Sequence, residues 1–345
     1  MKKGIVKIVA CLVAAASLSV VAACADENPS VGQKKLYLSG SLQTLYGGEE
    51  GYPQAVIVGK KAFTSEYPAY TNALLAKLGN AETYLSTAQP SAIISAISSK
   101  LTEGETPAFN AKNLTADVVK NCNVKFVAAQ QEKENVRSVL SGMMGQNAPS
   151  VADEFFYTPS SVQTDVSAPT SVSVYSPDGA PALALVELIN ESSEIVSCSV
   201  VNASTIQAYV TNKDAENNAD FCIMPVNLAA KLLGSGEKYQ MLGTITHGNL
   251  FMLSNDSAAN FNNAESLRAL IGKEVGVINL PNVPGMVLKM ILNKYEIPFA
   301  VVENDGEIAA DKVNLRAVSG AQDVTAESEY AAFVVAEPLA SLRTK

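Results

Sequence analysis

Apolar positions fall into three regimes along the chain. Residues 8–21 form one mostly apolar run, interrupted only by Ser17 and Ser19. From residue 34 two short strand-like runs, 36–39 and 54–58, flank a glycine-rich loop, Tyr46-Gly47-Gly48-Glu49-Glu50-Gly51-Tyr52-Pro53. The period then becomes helical over 66–78, 91–101, 116–121 and 130–144, with Pro68, Pro90 and Pro107 marking starts or breaks. From residue 171 the pattern changes again, to repeated strand, turn and helix. Strands are expected at 171–175, 194–200 and 219–224, and helices at 180–190, 203–211 and 226–233. Two further strands, 239–246 and 248–254, are broken at His247-Gly248. A second series then runs through a strand at 274–280, a helix at 283–295 and strands at 299–303, 313–318 and 331–336.

Alternation of this kind predicts an α/β fold with mostly parallel sheets flanked by helices, and two series predict two sheet systems. Between the first folded part, ending near 157, and the strand that opens at 171 lies 158–170, rich in proline, serine and threonine and without periodicity, which reads as a linker.

The amino terminus adds a different expectation. Lys2, Lys3 and Lys7 precede the 8–21 run, which ends in Val21-Ala22-Ala23-Cys24. Basic residues, an apolar segment too short for the ~20 residues of a spanning helix, and small residues before a cleavage point describe a signal peptide over 1–23. A cysteine after the cleavage point reads as a lipobox: Cys24 takes the acyl chains, and two or three such chains anchor stably where one is marginal. Residues 24–33 then form a lipidated tether. Beyond the leader the net charge of -9, less three leader lysines, becomes -12, a surface that repels nucleic acid and anionic lipid. Cys122, Cys198 and Cys222 show no CxxC spacing and read as buried small apolar residues. No clustered metal set, Walker loop or GxSxG elbow occurs, so no cofactor and no enzyme chemistry is expected.

Ser173-Val174-Tyr175-Ser176-Pro177-Asp178-Gly179-Ala180-Pro181-Ala182-Leu183-Ala184 resembles the opening strand and helix of extracytoplasmic substrate-binding proteins of ABC transporters, in the nitrate/sulfonate/taurine-type group. ADFCIMPVNLAAKLL (219–233), THGNLFMLS (246–254), GKEVGVINLPNVPGMVLKMIL (272–292), 331–339 and 45–58 resemble the same family. The likeness covers nearly all of 34–345. The order differs: family members begin with the part like 171–345 and continue with the part like 34–157. The chain resembles a circular permutant whose usual termini are joined by 158–170; a mis-joined pair of fragments is the other explanation.

The resemblance implies a two-lobed, type II periplasmic-binding-protein-like fold. One lobe would hold 34–54 and 254–345, the other 60–157 and 171–248, with crossings at 55–59 and 249–253. Ligands in such folds sit at strand ends, where helix amino termini offer free N–H groups. The residues placed there are Asp178, Gly179, Ala180, Pro225, Asn227, Asn282, Val283 and Glu337, with His247, the chain's only histidine, and Asn249 beside a crossing and Tyr52 as a stacking ring. These loops hold amides and carboxylates, and none holds Arg137, Arg268, Arg316 or Arg343. That balance favours a neutral or weakly cationic ligand, such as a pyrimidine-like compound, over a sulfonate or other oxyanion. The implied protein is a monomer delivering a small molecule to an ABC permease at the membrane. A lipid-anchored sensor is the main alternative, and an enzyme on the same fold a weaker one.

Overall fold

The computed structural model describes residues 34–47, 51–191, 193–214, 217–303 and 306–345. Cys24, the leader, the tether and Glu49-Glu50 lie outside the described residues. The chain opens with β1 (Tyr37–Ser41) and α1 (Leu42–Tyr46), then passes to β2 (Ala55–Lys60). There follow α2 (Lys61–Glu66), α3 (Pro68–Thr87), α4 (Pro90–Ser98), α5 (Ala116–Asn121), β3 (Val124–Ala128) and α6 (Ala129–Met144). Beyond the 158–170 segment come β4 (Val172–Pro177), α7 (Ala180–Leu183), α8 (Val186–Asn190), β5 (Val196–Val201), α9 (Ala208–Thr211), β6 (Phe221–Pro225), α10 (Val226–Leu233) and β7 (Tyr239–Thr246). The last part is β8 (Leu250–Ser254), α11 (Ala264–Arg268), β9 (Glu274–Ile278), α12 (Val283–Lys294), β10 (Phe299–Val302), β11 (Val313–Val318), β12 (Ala332–Ala336) and α13 (Leu339–Arg343).

These strands build two sheets, β1-β8-β12-β9-β11-β10 and β3-β7-β2-β6-β4-β5. The two share one plan. A parallel triplet (β11-β9-β12 or β5-β4-β6) is followed by one antiparallel strand that enters from the other sheet (β8 or β2), and then by a strand parallel to the triplet (β1 or β7). The expectation of mostly parallel sheets is therefore corrected: both are mixed, because β2 and β8 arrive from the opposite lobe and run against their neighbours. The crossings move as well. Ala55–Lys60 and Leu250–Ser254 each lie wholly within one sheet, so the passages fall at 51–54 and 247–249 rather than at 55–59 and 249–253.

Gly40-Ser41, which reads as a loop, belongs to β1, and a side chain at Gly40 would strike the Phe261 carbonyl. The segment 158–170 is coil but pinned: Asp165 accepts from the Ala69 and Tyr70 amides at 2.8 and 2.9 Å, capping α3, whose first residues have no side-chain cap of their own. Leu36 shares a small core with Leu339 and Ala340, so the first described strand and last helix lie side by side.

One large core joins both sheets, running from Val56 and Val58 on β2 to Val275 and Leu315 on β9 and β11, with α6 packed on α12. The three cysteines among the described residues are buried and unpaired. Burial pushes the Cys198 thiol up to about 11 and the Cys222 thiol up to about 12, and raises Cys122 as well. Only a thiolate reacts readily, so these three thiols should resist an aromatic disulfide reagent at about pH 8 and all react in denaturant. Stoichiometric labelling of any of them in the folded protein would contradict this packing.

Candidate functional site

The seam between the sheets is organised by the two crossings, which run side by side. Gln54 holds them together: its N–H donates to the Thr246 carbonyl (2.9 Å), its Nε2 to Asn249 Oδ1 (2.9 Å), and its Oε1 accepts from the Asn249 N–H (3.1 Å). The Gln54 carbonyl accepts from Val226 N–H at the start of α10 (3.0 Å), so the same residue also positions that helix. Close approach is possible because the crossings carry Gly51 and Gly248, at φ +86 and +90. A Cβ on Gly51 would lie 2.5 Å from the His247 carbonyl, and one on Gly248 2.5 Å from the Tyr52 ring.

Behind this pair lies a buried polar group. His247 is fully buried, its N–H donating to the Asn123 carbonyl (3.1 Å) and its carbonyl accepting from Asn123 Nδ2 (2.8 Å). Neither ring nitrogen has a hydrogen-bond partner; Nε2 stands 3.7 Å from Glu132 Oε1. Glu132, itself buried on α6, takes through Oε2 only long bonds from Thr244 Oγ1 (3.3 Å) and Asn135 Nδ2 (3.2 Å). Tyr52 is fully buried edge-on to Tyr46, with ring centroids 5.8 Å apart. Burial pushes its phenol well above the ordinary value; the nearby Leu250 amide offsets this slightly without making a hydrogen bond.

The residues expected at strand ends divide between the lobes. Asp178 turns away from the seam: Oδ2 accepts from the Ala108 N–H (2.6 Å) and Oδ1 from the Gly179 N–H (2.7 Å), fixing the 102–110 loop. Partial burial raises its carboxyl above the usual range, and the two amides pull it back in part. Gly179, at φ +99, leads into the buried Ala180 and the short α7. Pro225 ends β6, and Asn227 on α10 reaches the other lobe, its Nδ2 3.9 Å from Met286 Sδ on α12 and its Oδ1 buried without a partner. The first turns of α10 and α12 thus face each other. Asn282 precedes α12, exposed and without a side-chain cap, and Val283 opens that helix half-buried. Glu337 bridges lobes by a different route: Oε1 accepts from Asn121 Nδ2 (2.8 Å) and Ser341 Oγ (2.7 Å), Oε2 from the Ser341 N–H (3.1 Å).

The seam opens into a cavity of about 800 Å³ between α1, α6 and α12, within the range of small-molecule pockets. Tyr46, Glu132, Asn135, Ser138, Met290 and Lys294 line it, and Tyr46 Oη donates to Asn135 Oδ1 at 2.6 Å. The Tyr46 phenol is raised by burial and then by the charge of Glu132. Of these residues only Tyr46 stood in the glycine-rich loop expected from the sequence, and the structure places it at the end of α1. The sequence does hold a signal for Glu132. With Ala129, Val136, Val139, Leu140 and Met143 it forms the buried stripe of α6, a carboxyl group in a row of apolar positions. Searches for a related protein, whether by family model, among curated chains or among solved structures, return no match.

Proposed function

We propose that this chain is an extracytoplasmic, lipid-anchored binding protein that captures a small organic molecule between two lobes and delivers it to an ABC importer. The observation that carries this reading is the shared sheet plan: each lobe receives its antiparallel strand from the other, so that among the described residues two adjacent crossings, 51–54 and 247–249, link the sheets. Lobes joined in that way can part and close on a ligand, and the facing starts of α10 and α12 supply donors to the seam. This mixed plan supports the reading of a type II binding protein. The contact of Leu36 with Leu339 and Ala340 supports a permuted order, since it brings together the positions where the family's chain would be continuous. The polar side chains along the seam are mostly amides, hydroxyls and carboxyls, with the His247 imidazole behind them and Lys294 at the exposed edge, and that balance favours a neutral or cationic ligand over an oxyanion.

The test is a thermal-shift panel of pyrimidines, small amines, sulfonates and nitrate. A ligand present at 100 times its Kd should add about 2.7 kcal/mol to stability, a shift of several degrees for a chain of this size. Binding confined to sulfonates or nitrate would overturn the ligand class, and a panel without any shift would count against the binding function itself.

A further inference from the structure

We propose that the cavity between α6 and α12 is a site for a small organic cation, with the Glu132 carboxyl group as its counter-charge and the Tyr46 ring as one wall. This rests on the reading of the chain as a ligand-binding protein and names both a ligand class and a place that the strand-end loops did not indicate.

Glu132 is only 4% exposed, yet it lines an open cavity. The groups hydrogen-bonded to it carry no charge. Thr244 and Asn135 are neutral donors at 3.3 and 3.2 Å, and His247 Nε2 at 3.7 Å is beyond hydrogen-bond distance. Among the described residues no lysine or arginine forms an ion pair with it. A buried carboxylate in that state is poorly compensated, and a cation entering the cavity would supply the missing partner.

The other walls suit the same guest. Tyr46 presents an aromatic face, Met290 a polarizable thioether, and Asn135 and Ser138 neutral hydrogen-bonding groups. The chain already places one ammonium in this setting. Lys294 Nζ lies 5.5 Å from the Tyr46 ring centre and 5.3 Å from that of Tyr295, and donates to the Tyr46 carbonyl. It stands at the exposed edge, where it competes with a second cation for the same ring.

Choline and agmatine are the probes, with thymine as neutral control and taurine as the sulfonate, each measured by titration calorimetry. Choline or agmatine should bind the wild-type chain, and Glu132→Gln, which keeps the shape and one acceptor, should weaken that binding at least tenfold. Lys294→Gln keeps a side-chain donor for the Tyr46 carbonyl and should tighten it severalfold by removing a like charge at the exposed edge, so the proposal is tested even where Glu132→Gln folds poorly. Unchanged cation affinity in a folded Glu132→Gln chain, or weaker binding in Lys294→Gln, would overturn the site. Binding of thymine or taurine with no cation bound would overturn the site while leaving the ligand-binding function intact. Binding of none of the four would count against both.

Discussion

Gly248→Ala should cost the folded chain about 2–5 kcal/mol, from two separable sources. The first is backbone: Gly248 sits at φ +90, where a side chain is strained by about 1–2 kcal/mol. The second is contact. The new Cβ would lie 2.5 Å from Cε1 and Cζ of Tyr52, a ring that is fully buried between the crossings and held edge-on by Tyr46. Overpacking of that kind adds about 1–3 kcal/mol. Gly104 provides the control, because it has nearly the same φ, +86, and nothing within 4 Å of its ideal Cβ. Gly104→Ala should therefore show the backbone cost alone. Thermal or urea unfolding of both variants measures the difference, and Tyr52→Leu in the Gly248→Ala background should recover part of it through a favourable coupling. If Gly248→Ala costs no more than Gly104→Ala, the crossings do not pack as closely as described here. The result bears on function as well as stability. Residues 51–54 and 247–249 are the passages between the two sheets, so under the proposed binding function a chain forced apart there should also lose ligand affinity.

What could be read from the sequence depended on whether a feature is local. β7 and β11 and helix α10 fall where the pattern puts them, because uninterrupted apolar runs define the strands and Pro225 and Gly234 bracket the helix. β3 was missed: Val124–Ala128 is a short edge strand with Lys125 within it, paired on one side only. The expected helix at 180–190 breaks at Ala184-Leu185, and a run as apolar as Ala-Pro-Ala-Leu-Ala-Leu-Val carries no signal for that break. Strand direction escaped for a different reason. β2 and β8 are antiparallel to their neighbours because of the lobe each comes from, and no window of a few residues contains that information. The same holds for the site. Asn227, His247 and Glu337 could be placed because strand ends are visible in the pattern. The cavity was not legible, since it is formed by α6 and α12, helices roughly 150 residues apart in the sequence whose packing depends on Gly142 admitting Met290. The segment 158–170 looked unstructured by composition, and a few side-chain bonds fix it: Asp165 to the start of α3, Asn72 Nδ2 to the Ser160 carbonyl and Gln130 Nε2 to Thr158 Oγ1.

Glu337→Ala should destabilise the chain by about 2–4 kcal/mol and loosen the contact between the lobes. Glu337 is 6% exposed, and its carboxyl oxygens accept from Asn121 Nδ2, Ser341 Oγ and the Ser341 N–H. Removing the carboxyl group leaves those donors without this partner in a mostly buried setting, which costs more than the bonds themselves contributed. The two partners differ in what they hold. Ser341 belongs to α13 in the same lobe, so those bonds fix α13 against the end of β12. Asn121 is the last residue of α5 in the other lobe, so that bond, like the Gln54–Asn249 pair, acts across the seam. Asn121→Ala should isolate the second effect. It removes the inter-lobe donor while leaving both Ser341 bonds in place, and its stability cost should be smaller, about 1 kcal/mol. Small-angle scattering should then show a larger radius of gyration for both variants than for the wild-type chain. A Glu337→Ala chain that is destabilised yet keeps the wild-type dimensions would assign the residue to α13 alone. The inter-lobe bond would then be a consequence of closure rather than one of its causes.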